Sequence, residues 1–232
     1  MAAPTSLSPS PSNKLKSEDE VQAATAEIVA GKECLIEIAK DKLALGLSLI
    51  GGSDTPLGSI IILEAYPEGA AAKDGRLKPG DIILEMNGED FRDIAYCQSL
   101  AAIRQLTNKV LLLVYRHEQG SDEVANMSTM EVELTKKPGK GLGLSITSRR
   151  TAPGIFVSDV MPGSVASSDG RLTKGDRLLS VNGIDVTNMP QEEAAAIVKT
   201  ITGKVSLKIG RYKARYVKYY IYLLLITHKC NA

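Results

Sequence analysis

An internal repeat constrains this chain more than any other feature of its sequence. The segment GRLKPGDIILEMNGED at 75–90 returns as GRLTKGDRLLSVNGID at 170–185, an offset of 95 residues. Upstream, LGLSL at 45–49 matches LGLSI at 142–146 with an offset of 97. The difference of two residues falls between these segments, where an exposed loop tolerates a change of length. Because a fixed spacing indicates one repeated structural unit, we expect two copies of a module of roughly ninety residues.

The composition agrees with two small soluble domains. The 232 residues are 44% apolar and 24% charged, and the net charge of +1 argues against a general nucleic-acid binder. The odd number of cysteines, the absence of a CxxC pair and the absence of an apolar run after Met1 predict a reduced, cytoplasmic protein. The longest apolar run, 219–226, is far shorter than the ~20 residues that a membrane-spanning helix needs.

The pattern of apolar residues predicts short strands in both copies. CLIEIA at 34–39 and MEVELT at 130–135 alternate apolar and polar residues, the period of a half-buried strand. The other predicted strands are LSLIG and LSITS after the matching glycines, SIIILEA (59–65), GIFVSDV (154–160), DIILEM (81–86), DRLLSV (176–181), KVLLLVYR (109–116) and KVSLKIGR (204–211). Asn-Gly at 87–88 and 182–183 is a strong signal for a two-residue hairpin.

Each copy also contains two predicted helices. The short ones lie at 70–73 and 164–167, and the longer ones at 96–106 and 190–201 each carry an apolar face. The fold class is therefore mainly β with two helices per domain, in two tandem, partly open six-stranded barrels or sandwiches.

The boundaries follow from the repeat and from composition. We expect the first module at 33–118, a linker at 119–128 and the second module at 129–213. The leader 1–32 begins with a Ser/Pro-rich stretch that predicts disorder, and Ser17-Glu18-Asp19-Glu20 resembles a capping box before a short helix ending at Gly31. The tail 214–232 is basic and apolar, and its role is not predicted.

The sequences Leu45-Gly46-Leu47 and Leu142-Gly143-Leu144 are the motif that carries chemistry. A glycine between apolar anchors allows a tight turn whose consecutive N–H groups point outward and form a small anion-binding concavity. Beside an open strand edge, such a concavity suits the C-terminal carboxylate of a peptide. An ordinary structural turn is the other interpretation, and the repetition at matching places favours the site.

Nucleotide and enzyme sites are not supported. GKGLG at 139–143 has the spacing GxGxG, is followed by a strand instead of a helix, and no Walker motif is present. His117 and His228 are the only histidines, and no GxSxG, HExxH or Cys-His pairing surrounds them. We therefore expect no catalytic residue, no metal and no cofactor.

Both copies resemble PDZ domains in the order of the X-Leu-Gly-Leu loop, the GRL…GD segment, the Asn-Gly turn and the last helix. The segments LGLSLIGGSDTPLG, GAAAKDGRLKPGD and GKGLGLSI resemble the last tandem pair of the Patj and multiple-PDZ-domain family of cell-polarity scaffolds. The resemblance covers about three quarters of the chain and implies a cytoplasmic scaffold at cell junctions that clusters the C-terminal tails of membrane proteins. Those scaffolds are far longer, so the chain would be a fragment or short isoform.

The resemblance also implies where a tail would bind. The N–H groups of the two Leu-Gly-Leu motifs would hold its carboxylate, and its last side chain would enter a pocket beside the long helix. The residues implied for these pockets are Leu47, Leu49, Leu100 and Ile103 in the first module and Leu144, Ile146, Ala195 and Val198 in the second. Tyr96 and Gln191 occupy the position that reads the third-from-last side chain, where the family's histidine would select Ser or Thr.

Three further interpretations remain open. The chain could be a structural module that dimerises through its sheet edges, or a regulatory fragment of a protease that contains PDZ domains. After Glu193 the sequence holds eight basic residues and no acidic one. This basic stretch is either a solvated strand edge and tail or a peripheral contact with an anionic membrane.

Overall fold

The computed structural model of the protein describes residues 26–105, 108–118, 123–137 and 139–213. They form two modules of one architecture, which confirms the predicted fold class of six strands and two helices per module. The first module contains β1 (Glu33–Ala39), β2 (Leu47–Gly51), β3 (Ile60–Ala65), α1 (Ala70–Asp74), β4 (Ile82–Met86), β5 (Glu89–Asp90), α2 (Tyr96–Arg104) and β6 (Lys109–Tyr115). The second contains a 3-10 turn (Val124–Asn126), β7 (Met127–Lys136), β8 (Leu144–Ser148), β9 (Ile155–Val160), α3 (Val165–Asp169), β10 (Arg177–Val181), β11 (Ile184–Asp185), α4 (Gln191–Thr200) and β12 (Gly203–Tyr212).

The two sheets share one strand order. It runs β1-β6-β4-β3-β2 in the first module and β7-β12-β10-β9-β8 in the second, with every pair antiparallel. The short strands β5 and β11 pair with β4 and β10. Strands β2 and β8 stand at the ends of their sheets, so each module is an open sandwich with a free strand edge, and neither sheet closes into a barrel.

The Asn-Gly hairpins form as the sequence predicts. Asn87 and Gly88 have φ angles of 51° and 83°, and the pairing of Met86 with Glu89 closes a two-residue turn. The Asn87 side chain also accepts the N–H of Leu111 at 2.8 Å, which fixes the hairpin against β6. Asn residues tolerate positive φ, which is why this dipeptide is the hairpin signal.

The termini of two predicted helices differ from expectation. Pro190 precedes α4 with a ψ angle of 148°, so the helix begins at Gln191 and the proline lies outside its first turn. Helix α2 ends at Arg104, and Leu106, predicted to lie on its apolar face, is outside the described residues.

The leader contacts the first module without forming a helix near it. Residues 26–29 have no regular secondary structure and 30–31 form a turn, so the expected helix does not reach Gly31; residues 1–25 lie outside the described part of the chain. Ala26 and Ile28 pack against the first core, and the Arg76 guanidinium donates to the Ala26 carbonyl at 2.9 Å. This segment is therefore attached to the first module in spite of its position before the repeat.

The aspartate of the repeated Gly-Asp forms a buried ion pair in each module. Asp81 and Asp176 are each 1% exposed, and each carboxylate binds the guanidinium of an arginine at the end of the last strand, Arg116 at 2.7 Å and Arg211 at 2.6 Å. Burial raises the pKa of Asp81, and the hydrogen bond and charge of Arg116 oppose that rise. The pairs connect the start of β4 to the end of β6, and the start of β10 to the end of β12.

The two modules pack against each other through an apolar cluster. In the first module Ile60 and Ile62 of β3 face its own core, whereas Ile61 and Leu63 face the second module. The residues of this interface cluster are Ile50, Leu57, Ile61, Leu63, Ile82, Leu84, Met127, Phe156 and Tyr212. Both faces of the first sheet are therefore covered, which accounts for its uninterrupted apolar strands.

Polar contacts border this interface cluster. Glu123, from the segment expected to be a linker, accepts hydrogen bonds from Arg149 and Tyr212 and from Arg177 at 3.0 Å. Arg150 reaches Glu68 of the first module at 2.9 Å. The described end of the linker is thus bound to the second module. No helix among the described residues is long and apolar enough to cross a membrane.

Candidate functional site

Hydrogen bonds to its carbonyl oxygens hold the first Leu-Gly-Leu loop against the rest of its module. Ala70 and Tyr66 donate their N–H groups to the carbonyls of Ala44 and Gly46 at 3.0 and 2.7 Å, and Leu45 is buried as an anchor at 2% exposure. Gly46 has φ +72°, and a Cβ placed on it would lie 2.6 Å from the Cα of Gly69. Because the carbonyls turn inward, the N–H groups turn outward. The N–H groups of Leu45 and Gly46 meet no backbone acceptor in the described residues.

The second loop has the same construction. Gly143 has φ +79°, its carbonyl accepts the N–H of Met161 at 2.8 Å, and that of Leu142 accepts the N–H of Ala166 at 3.0 Å. A Cβ on Gly143 would overlap the side chain of Ser164. Both loops therefore need glycine for conformation and for space.

A cleft opens beside the second loop. It has a volume of about 970 Å³, and its lining includes Leu142, Gly143 and Leu144 from the loop together with Val198 from α4. The structure thus brings four of the residues implied for the second site to one surface. Ile146, Ala195 and Gln191 are half-buried and lie outside this lining, further along the groove between β8 and α4.

A lysine places positive charge at the cleft wall. Lys136 donates from its Nζ to the carbonyl oxygens of Val198 at 3.3 Å and Ile201 at 3.0 Å, at the C-terminal end of α4. A cation at a helix C-terminus is stabilised by the free carbonyls and the helix dipole. Lys140 and Lys199 also line the cleft, so an anionic group there would enter a positive field.

The predicted pocket residues of the first module lie on β2 and α2. Leu49 is 3% exposed and belongs to the core, as does the half-buried Ile103 that packs against it, and Leu100 is half-buried on α2. Leu47 begins β2 and is half-buried, and Tyr96 is the first residue of α2.

The first groove is closed at the start of its helix by contacts that the sequence did not predict. Ser53 donates its N–H to the Ile94 carbonyl at 2.9 Å, and Asp54 accepts the N–H of Tyr96 at 2.8 Å. A Cβ on Gly52 would lie 2.6 Å from the Tyr96 nitrogen, so β2 and α2 nearly touch there. Tandem glycines at 51 and 52 were the available signal, because they permit close backbone approach.

The second groove is closed at the corresponding point by one side chain. The amide of Gln191 bonds to the backbone of Ile146 and Ser148 on β8, at 3.2 and 3.0 Å. The family resemblance placed Gln191 at a position that reads a ligand side chain, but the sequence did not predict its contact with β8.

Comparison with known proteins gives the family context. The model of the family described as PDZ domain matches residues 35–115 and 131–210. The human "Multiple PDZ domain protein" is 51% identical over 191 residues, which cover 82% of this chain and 9% of that protein. The dog "InaD-like protein" is 49% identical over 194 residues, covering 84% of this chain and 11% of that protein. The chain therefore spans about a tenth of the length of these two relatives.

Two solved structures match the tandem as a whole. The structure of INAD PDZ45 in complex with NG2 peptide has a TM-score of 0.67 and 30% identity, and covers 82% of this chain and 95% of that chain. The complex of INAD PDZ45 with NORPA CC-PBM has a TM-score of 0.65 at the same identity, and covers 82% of this chain and 96% of that chain.

Proposed function

The chain belongs to the PDZ domain family, and from this premise we propose that it is a non-catalytic scaffold that binds C-terminal tails of other proteins by β-strand addition. One observation carries the proposal. The outward N–H groups of the loop at Gly143 open onto the cleft of about 970 Å³, beside the free edge of β8. Backbone donors for a carboxylate, a strand edge and an apolar pocket are the three parts that such recognition needs.

The first module has the same loop beside the free edge of β2. We propose that Leu45, Gly46 and Leu47 bind a carboxylate there too, with Leu49, Leu100 and Ile103 beside the last side chain.

The setting of the scaffold is also a proposal. We place domain boundaries at 33–118 and 129–213 and expect the tails to belong to membrane or junction proteins at the cytoplasmic face of the plasma membrane. Two INAD PDZ45 structures that resemble the tandem contain the NG2 peptide and NORPA CC-PBM, which supports peptide recognition.

Contact of the basic stretch with an anionic membrane is a weaker proposal. Arg211 is engaged with buried Asp176, and Lys204 lies 3.7 Å from Glu133. The exposed Lys199 and Lys208 are left to face a leaflet. The binding of tails does not depend on this contact.

A matched pair of glycine variants tests the proposal. Gly143→Ala and Gly170→Ala each add a Cβ at nearly equal positive φ, +79° and +77°, but only the first Cβ meets another side chain. The test is titration of both variants with a tail peptide selected on a C-terminal peptide array, followed by NMR at the backbone amides of β8 so that only binding to the second module is measured. We expect Gly143→Ala to lose affinity at least about tenfold and Gly170→Ala to keep it, since misdirected N–H groups lose charge-assisted bonds. A folded Gly143→Ala variant with full affinity would overturn the site assignment.

A further inference from the structure

The side chain of Gln191 bonds strand β8 at two backbone groups. Its Nε2 donates to the carbonyl of Ile146 at 3.2 Å, and its Oε1 accepts the N–H of Ser148 at 3.0 Å and the Ser148 hydroxyl at 3.3 Å. Only this orientation of the amide matches donor with acceptor at both ends, because the nitrogen carries two donors and the oxygen accepts.

The register of β8 shows that these two backbone groups face away from the sheet. Arg149 donates its N–H to the Gly154 carbonyl at 3.3 Å, and Ser148 stands opposite Ile155 in the same register. In an antiparallel ladder the residues that bond the partner strand alternate with residues that do not. Arg149 and Thr147 therefore bond β9, and Ser148 and Ile146 present their N–H and carbonyl groups at the free edge.

A peptide added to β8 as a new strand would need those same groups. Its peptide N–H would bond the carbonyl of Ile146, and a carbonyl further upstream would bond the N–H of Ser148. The amide of Gln191 supplies one donor and one acceptor at these two points and so satisfies edge groups that would otherwise bond water or a partner strand.

We propose that Gln191 is an internal competitor for the ligand of the second module. A tail that reaches only the carboxylate loop and the last pocket binds without disturbing Gln191. A tail that continues as a strand exchanges its own peptide groups for the amide, and this exchange lowers the net gain from each added residue. The inference rests on the proposed tail-binding function of this module and specifies which length of tail it favours.

Among its described residues, the first module has no equivalent competitor. Its residue at the same position is Tyr96, whose backbone N–H bonds Asp54 at 2.8 Å. That bond and the main-chain bond from Ser53 to the Ile94 carbonyl fix the start of the helix, and neither uses a backbone group of β2. Exchange at the strand edge is therefore a property of the second module.

Two acetylated peptides with free C-termini distinguish the steps. Ac-Ala-Val fills the loop and the last pocket but lacks the N–H that bonds Ile146, whereas Ac-Ala-Ala-Ala-Ala-Ala-Val extends past Ser148. Alanine at the third-from-last position gives the displaced amide no new partner. Binding of each peptide to the full chain is followed by NMR at the backbone amides of β8, which separates the second module from the first.

The variant Gln191→Leu removes both bonds at similar volume, and Gln98→Leu is the matched control. Gln98 also lies in the first turn of a long helix, and its side chain accepts the backbone N–H of Ala95 at 3.2 Å. This bond does not involve a strand edge. We expect Gln191→Leu to bind the hexapeptide about tenfold more tightly, a change of about 1.4 kcal/mol, and the dipeptide within about twofold of the parent. Gln98→Leu should change neither affinity.

The outcomes separate the two claims. The competitor role would be overturned if the dipeptide binds and the ratio of hexapeptide to dipeptide affinity is the same in Gln191→Leu as in the parent chain. The proposed function would remain intact in that case. Failure of both peptides to bind the parent chain and the variant would overturn the proposed function and this inference with it. If Gln191→Leu fails to fold, Gln191→Ala gives the same comparison.

Discussion

Thr151 of the second module donates both its backbone N–H and its hydroxyl to the carboxylate of Glu64 in the first, each at 2.6 Å. Glu64 is 4% exposed, so the second module shields this carboxylate from solvent. A buried carboxylate needs hydrogen-bond donors. The contact therefore makes the docking of the modules directional, beside the apolar interface cluster.

Replacement of Glu64 with Ala should destabilise the pair, because it removes the carboxylate that accepts both hydrogen bonds from Thr151 across the interface. We expect a loss of about 1–3 kcal/mol in the free energy of unfolding, measured by urea denaturation. Glu68→Ala is the control, since its bond to Arg150 joins two exposed side chains and should leave the unfolding midpoint unchanged. Equal effects of the two substitutions would contradict the described interface.

The contact of the first sheet with the second module can be tested by giving Leu63 the residue that the second module has at the matching position. Leu63 lies in the interface cluster at 8% exposure, and the repeat places Ser158 at the corresponding position. Leu63→Ser in the full chain should cost about 2–5 kcal/mol of unfolding free energy, because a buried side chain loses its apolar contacts. Ile184→Ser, at a residue 48% exposed, is the control and should have little effect. Equal stability of the Leu63 variant and the parent would show that this face is not covered in solution.

The stability of an Arg116 variant should depend on pH. Burial raises the pKa of Asp81, and Arg116→Met removes the group that opposes this rise, so the pKa climbs further. A raised carboxyl pKa favours the folded state at low pH, and that contribution is lost as pH rises through the folded value.

The difference in unfolding free energy between the parent and Arg116→Met should therefore grow from about pH 4 to about pH 7. In an Asp81→Asn background the same substitution should give a difference that no longer varies with pH. A pH-independent effect of Arg116→Met in the parent background would contradict the role of this ion pair.

Selectivity should differ between the grooves. The Lys174 ammonium of the second module lies 4.3 Å from the centre of the Tyr96 ring, at the start of the first groove. We expect the first module to favour an apolar or acidic third-from-last residue and the second, with the Gln191 amide, to accept Ser or Thr. Peptide arrays probed with Gly46→Ala and Gly143→Ala chains, each with one loop disabled, make the comparison. Lys174→Gln should weaken the acidic preference, and identical array profiles would contradict the prediction.

Features that depend on neighbouring residues could be predicted from sequence. The turn at Gly46, its copy at Gly143 and the Asn87-Gly88 hairpin depend on backbone conformations that few residues other than glycine and asparagine adopt. The pattern of apolar residues likewise located the strands to within a few residues.

Contacts between distant residues could not be predicted in this way. Gln191 and Ser148 are 43 residues apart, and Thr151 and Glu64 are 87 apart, so no local pattern relates them. One signal was present: SIIILEA is apolar at four consecutive positions, whereas GIFVSDV turns polar at Ser158. That difference marks the first sheet as covered on both faces.

The free carboxylate of the tail tests the central claim most directly. A tail peptide and its C-terminal amide, identical in every other atom, are titrated against the full chain under the same conditions. The outward N–H groups of the glycine loops address a negative charge, so the amide should bind at least about tenfold more weakly, a loss of about 1.4 kcal/mol. Equal affinity of the two peptides would contradict the account and would show that the grooves do not recognise a chain terminus.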